Sequence, residues 1–435
     1  MRNRTVRLAA LLAAGTLALA ACAGGSGDTP DASPTSSGPP EPVSIRFSWW
    51  GSDTRHELTQ QVLDKFTEKY PYITVVPDYT DWNSYFDKLS TSVAGGDAPD
   101  VITQEERYLA DYATRGVLAD ANELGIDTSK IDKSVLESGT LDGKLYGVAT
   151  GVNAYAIVAD PAAFAAAGVE MPDDKTWTWH DYVETANEIS AKTGKAIYGA
   201  QDYGFNEPGF SIFARQRGQS LYGEDGGIGF KESTLAEWWQ YSLDLQAGGG
   251  EPDAAKTVEV DAGGPEQSLV GTGQGAMAWF WTNQLTAITK ASGKELKLLR
   301  VPGEDEHKRT GMYFKPAMFY SVSAKSKHPK EAALLVDFLL NDPAAGEILL
   351  SDRGLPANTE VRAAVTDKFN ATDKQAAEFL AGLQDDIVDG PVVPPVGAGD
   401  VAEITKRLNQ EVLFGRLSPK DAAKQYVTEV ESAIS

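Results

Sequence analysis

The chain has 435 residues and a formal net charge of −23, from 62 acidic and 39 basic side chains. A nucleic-acid-binding protein needs a basic face for the phosphates, so this balance argues against that class. A single cysteine excludes an intramolecular disulfide, and the roughly 390 residues that follow the leader and linker exceed what one hydrophobic core organises, which predicts two lobes.

The first element is a short leader that ends at the only cysteine, Cys22. Three arginines lie in its first seven residues, and the apolar stretch 8–19 is too short to span a bilayer. The run LAAC at 19–22 then has the pattern of a bacterial lipoprotein signal, in which the chain is cleaved before the cysteine and the thiol carries the lipid. We therefore predict a signal peptide at 1–21, lipidation at Cys22 and an extracytoplasmic, membrane-anchored protein. The alternative is an ordinary secretory signal.

A polar linker follows at 22–42. Gly, Ser, Pro and Asp dominate it, and it contains no large apolar side chain, so it cannot bury enough surface to offset the entropy of ordering. We predict a flexible tether that begins with the lipidated cysteine. No later stretch has eighteen consecutive apolar residues, so the lipid is the only membrane attachment that the sequence predicts.

The folded part opens with alternating strands and helices. Strands are predicted at 44–49, 73–76 and 100–102, and helices between them carry apolar residues at helical spacing. Such an alternation is typical of a parallel sheet covered by helices, and ligands bind at the carboxyl ends of its strands. Trp49 and Trp50 stand at one such end, and Gln104 and Glu105 at another.

The same alternation continues to the C-terminus. An extended run at 146–159 precedes a short helix at 161–167, and Thr178 with Asp181 has the spacing of a helix-capping box. Further strands are predicted at 196–200, 275–280 and 317–322, and an apolar helix at 328–340. The C-terminal third is predicted to be helical.

Seven local phrases in this order resemble the extracellular sugar-binding lipoproteins of bacterial ABC importers, the family that includes maltose-binding protein. The resemblance runs from the leader to the C-terminus. The phrases are FSWWG (47–51), FTEKYPYITV (66–75), AGGDAPDVI (94–102), LDGKLYGVATGVNAYAIVAD (141–160), QGAMAW (274–279), SAKSKHPKEAALLVDFLLND (323–342) and DRGLPAN (352–358).

This resemblance implies an α/β, two-lobed periplasmic-binding-protein-like fold, in which each lobe is a mostly parallel sheet flanked by helices. The ligand would lie in the cleft between the lobes, which close on it, and the closed form would be presented to the transmembrane subunits of an ABC permease. The implied first lobe is 43–153 plus 310–350, and the implied second lobe is 154–309 plus 351–435. A monomer is expected.

Tryptophans are the first candidates for the ligand site, because sugars present C–H faces to aromatic rings as well as hydroxyls to polar groups. For any tryptophan the alternative is core packing. We assign Trp238 and Trp239 to the core and Trp179 to packing at a helix start. The predicted ligand-binding tryptophans are Trp49, Trp50, Trp82, Trp279 and Trp281.

Polar and charged residues near predicted strand ends or in phrases that the family places at the cleft complete the predicted site. They are Arg55, Gln104, Glu105, Asn153, Asp202, Tyr203, Lys315 and Arg353. The alternative for Gln104 and Glu105 is surface exposure, and for Lys315 and Arg353 it is a solvated cation. Arg55 opens a helix, where a cation is unfavourable without a partner, so a ligand or a carboxylate should lie beside it.

Catalysis has little support in the sequence. The four histidines are scattered and lack the spacing of a metal site, and neither a nucleophile elbow nor a phosphate loop is present. No cofactor and no metal are expected. Two alternatives remain: a binding protein for a non-sugar solute such as a peptide or a polyol phosphate, and a surface-anchored glycoside hydrolase, which needs two carboxylates at a set separation.

Overall fold

Strands and helices alternate through the computed structural model, which describes residues 41–51, 53–131, 133–307, 309–387 and 390–434. Cys22 and the predicted signal peptide lie outside these residues, as does nearly all of the predicted linker. The strands are β1 (Val43–Trp50), β2 (Ile73–Thr80), β3 (Val101–Gln104), β4 (Thr140–Leu141), β5 (Lys144–Leu145), β6 (Val148–Ala149), β7 (Gly151–Asn153), β8 (Tyr155–Ala159), β9 (Tyr198–Ala200), β10 (Gly275–Trp281), β11 (Lys297–Leu299), β12 (Lys315–Pro316), β13 (Phe319–Val322) and β14 (Leu355–Pro356).

The helices cover both sheets and fill the C-terminal region, as predicted. They are α1 (Asp53–Lys69), α2 (Trp82–Ala94), α3 (Glu106–Thr114), α4 (Lys133–Glu137), α5 (Pro161–Ala167), α6 (Trp179–Lys192), α7 (Glu207–Gln216), α8 (Glu232–Gly248), α9 (Ala254–Ala262), α10 (Leu285–Ser292), α11 (Pro329–Asn341), α12 (Pro343–Leu349), α13 (Thr359–Val365), α14 (Ala371–Leu383), α15 (Val401–Leu413) and α16 (Pro419–Ala433). The predicted capping box at α6 is confirmed: Thr178 Oγ1 accepts from the Asp181 amide, and the Asp181 carboxylate accepts from the Thr178 amide.

Two separate sheets organise the two lobes. The first has the order β2-β1-β3-β13-β6 and the second β11-β8-β10-β9. In the first, β1 is parallel to β2 and β3, but β13 is antiparallel to β3 and β6. In the second, β10 is parallel to β9 but antiparallel to β8, which is also antiparallel to β11.

Both sheets are therefore mixed, which corrects the expectation of mostly parallel sheets. The cause is the path of the chain between the lobes. A third sheet, β12-β7-β14, carries the crossings, and β8 and β13 follow the crossing strands β7 and β12 directly. After the crossing, β13 enters the first sheet antiparallel to β3, and β8 enters the second sheet antiparallel to β10 and β11.

Each lobe has its own hydrophobic core. The first core includes Phe47, Phe66 and Phe338, and the second includes Trp179 and Trp238, whose rings pack edge to face. Trp238 and Trp239 are fully buried, as predicted. Among the described residues, none of the helices combines the length and apolarity needed to cross a bilayer.

Candidate ligand-binding site

Five charged side chains meet between the lobes, and we call them the cleft charge cluster: Glu105, Glu106, Arg107, Glu207 and Lys315. Glu105 Oε1 lies 2.7 Å from Lys315 Nζ, and Glu105 Oε2 lies 3.0 Å from Arg107 Nε. Arg107 Nη1 lies 2.6 Å from Glu207 Oε1. Because Arg107 is in α3 of the first lobe and Glu207 opens α7 beside the second core, this ion pair connects the two lobes.

Opposite charge controls the ionisation of Glu105. Burial by itself would raise its pKa, but Arg107 and Lys315 outweigh burial and lower the pKa to about 2. Lys315 shows the reciprocal effect: burial favours the neutral amine, and the two neighbouring glutamates outweigh it and raise the pKa. Glu105 and Lys315 are therefore both charged at neutral pH.

Glu106 is the least compensated member of the cluster. Burial raises the pKa of its carboxyl, and Lys315 Nζ, at 3.5 Å, offsets this only in part because the closer bond of that amine goes to Glu105.

Aromatic rings from both lobes border this cluster. Trp50 packs edge to face on Trp82, with ring centroids 5.1 Å apart, and the Arg107 guanidinium lies 5.5 Å from the Trp82 ring. On the other side, Lys315 Nζ lies 5.4 Å from the ring of Trp281. Trp82 and Trp281 are half-buried. The arrangement thus combines flat apolar faces with charged hydrogen-bonding groups.

Local structure explains where the first-lobe rings stand. Trp50 ends β1, and Trp82 begins α2, whose N-cap Asp81 accepts from the Ser84 amide at 3.1 Å. The cap fixes where the helix starts, so Trp82 lies on its first turn beside the end of the strand.

An unsatisfied amide lies at the end of β3. Gln104 is fully buried, and within the described part of the chain neither its side-chain nitrogen nor its oxygen has a hydrogen-bond partner. A buried amide without partners costs free energy, which a ligand hydroxyl that donates and accepts would recover.

A sequence profile of bacterial extracellular solute-binding proteins matches residues 51–346, which is more than half of the chain. The chain belongs to this family. Among its relatives, an uncharacterized lipoprotein of Streptomyces antibioticus is 26% identical over 340 residues, covering 73% of this chain and 71% of the relative. The diacetylchitobiose-binding protein DasA of Streptomyces coelicolor is 26% identical over 360 residues, covering 79% of each chain.

A solved structure of a family 1 extracellular solute-binding protein from Alicyclobacillus acidocaldarius matches this binding protein with a TM-score of 0.67 and 29% identity. The match covers 91% of this chain and all of the other. The two-lobed periplasmic-binding-protein-like fold predicted from the sequence is confirmed.

Of the two neighbouring tryptophans on β1, Trp50 packs against α2, on Trp82, Tyr85 and Phe86, and Trp49 lies on the other face of the sheet. Consecutive strand residues point to opposite faces of a sheet. The Trp49 indole therefore lies away from α2, where it donates to His56 Nδ1 at 3.1 Å and packs on Tyr79. Trp49 is therefore placed against α1 and β2, which corrects its assignment to the binding site.

Asp202, Tyr203 and Trp279 belong to the interior of the second lobe in this binding protein. The Asp202 carboxylate accepts hydrogen bonds from Ser242 Oγ at 2.5 Å and from Asn409 Nδ2 at 2.7 Å. Tyr203 is fully buried against Trp238. The assignment of these three residues to the ligand site is corrected, because α6, α8 and α15 cover the side of the sheet on which they lie.

Trp279 and Trp281 lie on the same face of β10, as alternation predicts, but at different depths. The Trp279 indole donates to Tyr182 Oη at 3.0 Å and stacks on Trp179, whereas Trp281 is half-buried at the last position of the strand. Of these two tryptophans, Trp281 is the one that reaches the cleft charge cluster.

Arg55 and Arg353 lie beside Asp352. Arg55 Nε lies 2.9 Å from Asp352 Oδ2, so a carboxylate compensates this cation, one of the two partners that the sequence predicted. Arg353 is buried and donates to Thr59 and Tyr320. Burial, together with the nearby Arg55, lowers the pKa of Arg353 to about 9. Neither cation is solvated, and both tie the segment after α12 to the first lobe.

Sequence reasoning missed three residues of the cleft charge cluster: Glu106, Arg107 and Glu207. A local signal existed for the first two, since Glu105-Glu106-Arg107 places three charges directly after a buried strand. No local signal marked Glu207 as a cleft residue. An acidic side chain in the first turn of a helix such as α7 is favourable by itself, because it interacts with the helix dipole. Asn153 is buried beside Thr282, whose hydroxyl lies 3.3 Å from its amide oxygen, and pairs in register with Lys315. Within the described ranges, no group of three or more His, Cys, Asp or Glu side chains is placed to hold a metal ion.

Proposed function

We propose that this protein is the substrate-binding lipoprotein of an ABC importer, which captures a mono- or oligosaccharide between its lobes and delivers it to the permease. The observation that carries the proposal is the pairing of aromatic and charged groups from both lobes. Trp82 stands beside Arg107 and Trp281 beside Lys315, and both cations bind the same carboxylate, Glu105. Sugars need such flat faces next to hydrogen-bonding groups.

A relative that binds diacetylchitobiose supports a carbohydrate ligand. The unpartnered amide of Gln104 supports it further, because a sugar hydroxyl can donate and accept at once. We propose Trp50, Trp82, Gln104, Glu105, Trp281 and Lys315 as ligand-binding residues. Asn153 would position Lys315 across the crossing sheet.

The ionised state of Glu105 argues against this carboxylate as the acid catalyst of a glycoside hydrolase. An acid catalyst must hold a proton for the leaving group, whereas Glu105 is held ionised by two cations. We propose no reaction for this protein.

We propose lobe boundaries near those implied by the sequence, with one adjustment. Ala357 packs in the first core, so the segment 351–357 is better grouped with the first lobe. The two cores would then move as separate bodies about the sheet β12-β7-β14, as in hinge closure around a ligand.

Thermal unfolding with a panel of mono- to pentasaccharides tests the carbohydrate assignment. A matched sugar should raise the melting temperature, since a ligand in hundredfold excess over Kd adds about 2.7 kcal/mol to the free energy of unfolding. It should also reduce the radius of gyration in solution scattering. Stabilisation by peptides or polyol phosphates alone would favour a non-sugar solute, and release of reducing sugar from the oligosaccharides would favour a hydrolase.

Lipid attachment at Cys22 is tested in cells. The relative from Streptomyces antibioticus is named a lipoprotein, and the LAAC run ends the leader here. Cys22→Ser should release the protein from the membrane fraction and change the mass of the mature chain. A variant that stays in the membrane fraction at unchanged mass would contradict lipidation.

A further inference from the structure

A proline-rich segment of the second lobe, residues 390–400, touches the first lobe, and we call it the strap. Its sequence is GPVVPPVGAGD, and prolines limit the conformations that such a segment can adopt. At its start, Arg215 Nη1 donates to the Gly390 carbonyl at 3.2 Å. At its end, Ala398 and Val401 are buried in the second core. Both ends of the strap are therefore fixed to the second lobe.

Near its C-terminal end the strap touches helix α3 of the first lobe. The Gly397 amide donates to the Asp111 carboxylate, at 3.3 Å to Oδ1 and 3.4 Å to Oδ2. Gly397 has a φ of +86°, and a Cβ there would lie 1.9 Å from the Ala433 carbonyl oxygen. Only glycine fits this position, so the amide is presented to Asp111 by a backbone conformation that other residues adopt rarely.

A second glycine brings the strap against an aromatic ring. A Cβ on Gly399 would lie 2.7 Å from Cε1 of Tyr108, so the strap backbone rests on that ring. Tyr108 stacks on Phe86, with centroids 3.6 Å apart, and Phe86 contacts Trp82. The strap therefore docks at the far end of the same row of rings that borders the cleft charge cluster.

We propose that the strap is an interlobe latch: its docking on Tyr108 and Asp111 holds the lobes together and slows the dissociation of the ligand. This inference rests on the proposed function for the ligand, but docking itself is a property of the chain alone. Lobe opening requires the Gly397–Asp111 bond and the Gly399–Tyr108 contact to separate, because the two sides belong to different cores. Each therefore adds to the stability of the closed state and not to that of the open state.

Gly399→Val tests the latch, because its side chain would push the strap away from Tyr108. Gly390→Val is the matched control, since the same change in the same strap meets no atom within 4 Å. In the ligand-free protein, Gly399→Val should speed hydrogen exchange of the Gly397 amide and increase the radius of gyration, whereas Gly390→Val should leave both unchanged. With a bound sugar, the dissociation rate should rise about tenfold, within the usual range of coupling between sites.

Asp111→Ala provides a second variant on the opposite lobe, which keeps the test decisive if Gly399→Val folds poorly. The latch is overturned if both folded variants retain the wild-type radius of gyration and, where a sugar binds, its dissociation rate. If no carbohydrate binds but hydrogen exchange and the radius change as expected, the proposed ligand fails and the latch stands.

Discussion

Replacing Trp281 with alanine is expected to weaken carbohydrate binding tenfold to hundredfold, and Trp50→Ala should have an effect of the same size. A sugar face that stacks on an indole in a desolvated cleft contributes about 1–3 kcal/mol, as other aromatic hot spots do. Trp281 is half-buried at the end of β10, at the edge of the second core, where its ring packs on Tyr155. The melting temperature of the ligand-free Trp281→Ala variant should therefore stay close to that of the wild type.

Trp279→Ala is the matched control, two residues earlier on the same face of the same strand. Its ring stacks on Trp179 and its indole donates to Tyr182, so truncation leaves a cavity and should cost about 3–5 kcal/mol of unfolding free energy. Calorimetric titration and thermal unfolding of the three variants separate the two roles. Trp50 is 7% exposed and packs on Trp82, Tyr85 and Phe86, so Trp50→Ala should also lose some stability. If the folded fractions of Trp50→Ala and Trp281→Ala bind the sugar with wild-type affinity, the assignment of these rings to the ligand site is wrong.

Replacing Lys315 with methionine is expected to lower the free energy of unfolding by about 3–5 kcal/mol, the usual cost of leaving a buried charge without its partner. The amine lies between the buried Glu105 and Glu106 carboxylates. Lys69→Met is the control: Lys69 lies 2.7 Å from Asp342, but its side chain is 52% exposed, so its loss should cost at most about 1 kcal/mol. Denaturant unfolding at pH 7 measures both. Equal losses for the two variants would contradict the energetic role of the cleft charge cluster.

The same cluster predicts the response of the wild type to acid. The pKa of Glu105 is about 2 in the folded protein, below the usual value of 4.5 for a glutamate, so Glu105 stabilises the fold above pH 4.5 and loses this contribution as the pH falls toward 2. Glu106 has a raised pKa and contributes in the opposite direction. Glu105→Gln should therefore flatten the fall in unfolding free energy between pH 5 and pH 2. If the unfolding free energy falls with the same slope between pH 5 and pH 2 in the wild type and in Glu105→Gln, Glu105 does not have the lowered pKa described here.

Local patterns were sufficient for several elements of this protein. The Thr178–Asp181 capping box is formed by groups three residues apart, and α5 begins after Asp160 and ends at Gly168. The phrases shared with the family are likewise readable along the chain. In these cases the deciding contacts lie within one turn or one strand, so a short window of sequence contains all the partners.

Long-range packing decided which candidates can meet a ligand. Alternation on β1 establishes that Trp49 and Trp50 face opposite sides, but only the position of α2 shows that Trp50 is the one that packs on Trp82, beside the cleft charge cluster. Asp202 follows a strand end, yet its carboxylate is buried and accepts a hydrogen bond from Asn409, which is 207 residues away in the sequence. Arg107 and Glu207 are 100 residues apart and meet only because the two lobes approach each other. The sequence by itself determined the family and many of the helices and strands. The tertiary structure decided the orientation and depth of each side chain, since these depend on which distant helices cover each sheet.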